Sequence, residues 1–213
     1  MVDMTFECVG AQPEPYAAAP ALRFCLRVTE RSGARVHAVA LRCQLRIEPH
    51  RRSYTATETE LVSYLFGEPG RWGETLKPLQ LTTVSVVLPG FSGATEVDLP
   101  VPCSYDLEVA AGKYLHALTT GEVPLLLLFS GTVFVDGGQG FQVVPLPWHC
   151  ETEYRLPVAV WRELMDHYFP GSGWLRLHRD TIDRLLRYKS ANAIPTWDDA
   201  VVQLVAGAEQ VRS

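Results

Sequence analysis

The run from Val123 to Val135, VPLLLLFSGTVFV, is apolar at odd and even positions alike. A strand with one wet face alternates apolar and polar residues with period two, so a run that fails to alternate reads as a central strand covered on both faces. At 13 residues it is also well short of the ~20 that a helix needs to cross a bilayer. The second face of such a strand must lie under something, and the helical segments at the C-terminal end are the available cover.

The segments around it are of β type. Leu22–Val28 and Val39–Glu48 alternate strictly, and the short link through Gly33 between them predicts a hairpin. Residues 79–88 read as a strand whose apolar phase shifts between Leu81 and Val84, the mark of a bulge. Val97, Leu99 and Val101 alternate with Asp98, Pro100 and Pro102, and prolines in such a run place it at a sheet edge or corner. Tyr105–Val109 and Phe141–Tyr154 complete six to eight strands, the second broken by Pro145 and Pro147. Helical signals are a short segment over 57–66 with Thr57 and Glu60 at capping-box spacing, a turn or two near Lys113–Leu118, and three helices after Pro157. The fold class expected is therefore mainly β (α+β): an antiparallel β-sandwich over residues 1–155, with a three-helix extension over 156–213 docked on it as one cooperative unit.

The net charge of −5, from 19 Lys+Arg against 24 Asp+Glu, argues against nucleic acid and anionic membranes as partners. That value conceals segregation. Residues 23–52 carry eight arginines against Glu30 and Glu48, whereas residues 53–153 carry three basic and twelve acidic side chains. In the hairpin phase the even positions of 22–28 and the odd positions of 39–47 face the core, so Arg23, Arg27, Arg42 and Arg46 share the outward face as a partner-binding stripe. Cys25 falls between Arg23 and Arg27, where cationic neighbours would favour a reactive thiolate. The other four cysteines show no CxxC spacing and read as reduced, packed thiols, consistent with a cytoplasmic protein. The start, MVDMTFECVG, has neither the basic nor the apolar region of a signal peptide. Among the aromatic residues near the helical part, Trp161 and Trp174 are the candidates for a contact surface, because exposed Trp is typical of interaction hot spots.

Chemistry-bearing motifs are incomplete. His149-Cys150-Glu151 has one half of a zinc-deaminase signature without the P-C-x-x-C half, no HExxH is present, and Gly90-Phe91-Ser92-Gly93 lacks the full nucleophile elbow. No catalytic residue, metal site or cofactor is assigned.

The stretch Asp98-Leu99-Pro100-Val101-Pro102-Cys103-Ser104-Tyr105-Asp106, with Tyr114-Leu115, Gly121-Glu122-Val123-Pro124-Leu125, Leu128–Phe134, Arg71-Trp72 and Thr196-Trp197-Asp198, resembles an uncharacterised, actinobacterial domain-of-unknown-function family over nearly the whole chain. The resemblance brings no activity and no site residues. It implies genomic company with nickel-iron hydrogenase genes, and so a hydrogenase subunit or maturation factor as the protein partner.

Three functions are compatible with these features: a non-enzymatic interaction or assembly accessory protein, favoured by the polarised charge; a small-molecule or lipid carrier with an apolar cavity inside the sandwich; and an enzyme built on carboxylates such as Asp98, Asp106 or Glu108. Charge reversal at Arg42 and Arg46 separates two fates of the basic stripe. A stripe that meets an acidic partner loses affinity with no change in melting temperature, whereas one that pairs with the chain's own acidic segment loses melting temperature.

Overall fold

The computed structural model describes residues 2–103, 109–136, 140–171 and 177–212. The chain divides into two compact units, Met1–Gly171 and Ser172–Ser213. The strand expected over Tyr105–Val109, apart from Val109 itself, lies outside the described residues, as do Trp174, Asp106 and Glu108.

The first unit holds eight strands: β1 (Met4–Pro13), β2 (Ala21–Glu30), β3 (Val36–Ile47), β4 (Leu79–Phe91), β5 (Ala94–Pro102), β6 (Glu122–Asp136), β7 (Phe141–Pro145) and β8 (Glu151–Pro157). They form two antiparallel sheets, one in the order β1-β2-β5 and one in the order β4-β3-β6-β7, with β8 also paired to β6. The expected sandwich is thus present. The sheets meet along both edges, since β1 contacts β8 and β5 contacts β4. Between them lie Phe6, Leu22, Phe24, Leu26, Val39, Leu41, Leu45, Leu127 and Phe129, with the Phe6 and Phe129 rings stacked at 4.2 Å between centroids.

The expected hairpin between residues 22–28 and 39–48 does not form. β2 pairs with β1 and β5, while β3 pairs with β4 and β6 in the other sheet. Period-two alternation reports which face of a strand is dry, and both strands do turn the expected residues inward; it does not report which strand lies alongside. The crossover between sheets is held by Glu30, a buried carboxylate. It accepts backbone N–H groups from Asp3, Ser32 and Ala34 at 3.1, 3.0 and 2.9 Å. Burial alone would raise its pKa; the Ser32 hydroxyl, which also donates to it, and these N–H groups outweigh burial and hold the carboxyl below its ordinary value.

The central strand is β6. Its odd side chains enter the core; on the other face Leu126 is buried, while Thr132 and Phe134 are half-buried and Ser130 is exposed. Leu126 lies in register between Arg46 and Glu153, and Pro124 opposite Arg155. Leu126 is 9% exposed beside these long side chains. The bulge is also present: the β3–β4 register skips Leu81, between Leu45↔Thr82 and Arg46↔Gln80. Pro100 and Pro102 stand on β5, an edge strand, where the missing N–H is tolerated. Phe141–Tyr154 forms two strands on the same side of β6, with Pro145 ending the first.

Helices close one end of the sandwich: α1 (Ala56–Phe66), a short α2 (Trp72–Thr75), α3 (Val109–Ala117) and α4 (Val158–Tyr168). α1, α3 and α4 contribute Val62, Phe66, Tyr114, Leu115, Trp161 and Leu164 to the core. The capping box of α1 is Thr55 with Glu58, two residues earlier than the spacing of Thr57 and Glu60 suggests. Glu58 does more than cap. Fully buried, it also accepts the Thr119 and Thr120 N–H groups at 2.7 and 3.2 Å and pairs with Arg52 Nη2 at 3.0 Å. Burial alone would raise its pKa; the N–H groups of Thr119, Thr55 and Thr120 and the Arg52 charge outweigh that and hold it at about 2.

The second unit contains α5 (Arg179–Ala191) and α6 (Trp197–Arg212), which contact each other. Thr196 caps α6 by accepting the Asp199 N–H at 3.0 Å, the expected capping box.

Glu58→Gln lowers the stability of the protein by about 3–5 kcal/mol, because Arg52 remains buried without its counter-charge. With a folded pKa of about 2 against an ordinary 4.5, the carboxylate contribution is complete above pH 4.5 and disappears as the pH falls toward 2. Chemical denaturation at stepped pH should therefore show a steeper loss between these values for the wild type than for Glu58→Gln.

Candidate interaction surface

The four outward arginines stand on two different sheets, and three of them are neutralised by the chain itself. On β2, Arg27 faces Glu96 of β5 and Glu7 of β1 in register, with ion pairs at 2.8 and 3.5 Å. Arg23 pairs with Asp98 and Glu14, each at 3.5 Å. On β3, Arg46 Nε lies 2.6 Å from Glu48, whose side chain is only 6% exposed. Asp98, one of the carboxylates considered for catalysis, is thus the counter-ion of Arg23.

Cys25 lies outward between Arg23 and Arg27 as expected, but its direct cross-strand neighbour is Asp98. Burial, then Glu96 and Asp98, push its thiol pKa up, and the two arginines do not offset them. The activated thiolate is therefore not what this environment favours. Cys8, Cys43, Cys103 and Cys150 are buried, and burial pushes the first three up to about 12.

Trp161 does not belong to a surface. It is 3% exposed within the core, edge-on to His116. Val158, Trp161 and Leu164 form the inward stripe of α4, and helical spacing places the indole on that stripe.

Arg42 is the exception. It is exposed between Ser85 of β4 and Ser130 of β6, and among the described residues it has no ion-pair partner. Beyond it the outer face of the larger sheet turns apolar. Val87, Ala40, Thr132 and Pro145 form one cross-strand row, and Pro89, Ala38, Phe134 and Val143 form the next. Phe141 continues the face, with the His37 ring edge-on at 4.6 Å. Val87, Phe141 and Val143 are 71%, 73% and 60% exposed. The Leu146 N–H donates to the Gly131 carbonyl and the Phe129 N–H to that of Cys150, which lays residues 146–150 beside β6; there Trp148 stands 94% exposed. Gly131 itself has φ 148°, and a Cβ would be driven into the Ala40 carbonyl, so β3 and β6 approach closely under this face. At the far margin Arg35, also without an ion-pair partner among the described residues, lines a cleft of about 470 Å3 with His37, Gly90, Phe91 and Ser92. The face is thus largely apolar, with Asp136 in register with Phe141 and with two guanidinium groups at its margin that have no ion-pair partner among the described residues.

Strict alternation does not mark this face. The signals are the doublets Val86-Val87 and Val143-Val144, in which an apolar residue occupies the parity that ought to be wet.

A larger cleft, of about 670 Å3, opens at the helical end between His50, Arg51, Arg52, Ser53, Gly121, Glu122 and Arg155. Its cations are balanced: Arg51 by Glu153 at 2.7 Å, Arg52 by Glu58, and Arg155 by Glu122 at 4.0 Å.

A family model matches the sequence over residues 1–213. The chain belongs to DUF6084, a family of unknown function. No curated protein matches it. Family membership thus brings no chemistry, and the surface has to be read on its own.

Arg27→Glu should lower the melting temperature by placing like charges opposite Glu96 and Glu7, and the exchange Arg27→Glu with Glu96→Arg should restore most of the loss. Thermal melts of the two single variants and the double variant read this cycle.

Proposed function

We propose that this chain is a non-enzymatic protein-interaction or assembly accessory protein. The observation that carries the reading is the apolar outer face of the larger sheet, where Val87, Phe141 and Val143 stand exposed. Monomeric proteins rarely expose contiguous apolar areas of this kind unless a partner covers them. The charges at its margin specify the partner further. Among the described residues Arg42 and Arg35 pair with no carboxylate, in contrast to Arg23, Arg27 and Arg46. The fitting occupant is a protein segment with apolar side chains at its centre and Asp or Glu at its ends, so that apolar burial supplies affinity and the guanidinium groups set orientation. The resemblance stated above suggests a nickel-iron hydrogenase subunit or maturation factor as that partner.

A photo-crosslinking residue at position 87 or 143, used in the source cell, should yield one discrete protein adduct, with none from position 27 on the opposite sheet. With that partner purified, Val87→Glu or Phe141→Glu should weaken binding at least ~10-fold. Arg42→Glu should weaken it in a salt-dependent way, all three at unchanged melting temperature. Equal adduct formation from both sheets, or full affinity of Val87→Glu, counts against the reading.

A further inference from the structure

The second unit poses a separate problem. Isolated helices shorter than about 12–15 residues are marginal in water, and a chain of this size rarely builds a core of its own. Among the described residues of this unit only Ile194 and Ala200 are buried. The apolar side chains Trp197, Val201, Leu204, Val205 and Val211 of α6 are between 40% and 88% exposed, as are Ile182 and Leu186 of α5 at 42% and 48%.

Their spacing is ordered. Trp197, Leu204 and Val211 recur every seventh residue, with Val201, Val205 and Ala208 beside them, and at ~100° per residue these fall on one side of α6. Ile182 and Leu186 make a matching pair on α5. The polar flanks are opposite in sign. α5 has four basic residues, Arg179, Arg184, Arg187 and Lys189, against Asp180 and Asp183, while α6 has Asp198, Asp199 and Glu209 against Arg212.

We propose that the α5–α6 hairpin is a homodimerisation element, in which two copies of the chain close their apolar stripes on each other as a four-helix bundle. The occupant is a second copy because a two-fold axis sets the basic α5 of one copy against the acidic α6 of the other, twice, so the hairpin is complementary to itself.

Sedimentation velocity on the full chain, from about 1 to 200 µM, tests this. The wild type should pass from 23.7 kDa toward twice that mass. Leu204→Glu should raise the dissociation constant at least ~10-fold. Because a charge inside an apolar stripe also acts on the helix that carries it, a charge exchange reads the contact in trans. Asp198→Lys with Glu209→Lys on one chain, and Arg179→Glu with Arg187→Glu on another, should each weaken self-association at least ~10-fold, and an equimolar mixture should recover the dimer to within ~3-fold of wild type. A wild type that stays monomeric throughout, a Leu204→Glu variant of unchanged mass, or a mixture that fails to recover would each overturn the proposal.

Discussion

A carboxylate that water does not reach, Glu58, determines where three separate stretches of the first unit meet. It ends the loop after β3 by capping α1, receives the turn between α3 and β6 through two backbone N–H groups, and holds Arg52 at the junction. Arg52 in turn donates to the carbonyls of Ser53, Thr120 and Glu122 and lies over the Tyr54 ring, whose hydroxyl meets that of the buried Tyr114. Helical cover and central strand are thereby fixed in one network, and the start of β6 has no freedom to shift register. Glu30 does the corresponding work at the other end, where the chain leaves one sheet for the other. Both are buried charges satisfied by several donors, the condition under which such a group specifies a conformation rather than merely burdening it.

The elements legible in the sequence are those governed by local rules. The doubly apolar β6, the bulge at Leu81, the proline-bearing edge strand β5 and the cap of α6 all follow from residue periodicity and backbone chemistry. What is not local is less legible. The partner of β2 depends on a crossover held by Glu30, and nothing in the alternation of residues 22–28 distinguishes a hairpin neighbour from a strand across the core. β1 is hard to read locally because the alternation of Met4, Phe6 and Cys8 stops before Gly10 and Pro13, where its register also shifts.

The same limit governs the candidate surface. Counting charges along the chain identifies an arginine-rich half and an acid-rich half, but antiparallel pairing brings the halves together: β5 returns its acids to the arginines of β2. The segregation is a folding code for much of its length; among the described residues Arg42, between two serines, and Arg35 are left without an acidic neighbour in an ion pair. Surface pairs of this kind contribute little each. Their effect is to remove charge from one sheet while leaving the other with an apolar, cation-bounded face.

β4 is a terminal strand of the larger sheet and runs for 13 residues, long for an edge that presents unpaired backbone groups. Two features interrupt it: the extra residue at Leu81, which breaks the ladder near its start, and Pro89, which has no N–H to offer near its end. Only the stretch from Thr82 to Leu88 is regular enough to accept a foreign strand, and it is short. Proline at position 89 therefore shortens the regular part of this edge, in the way prolines blunt the edges of sheets in general.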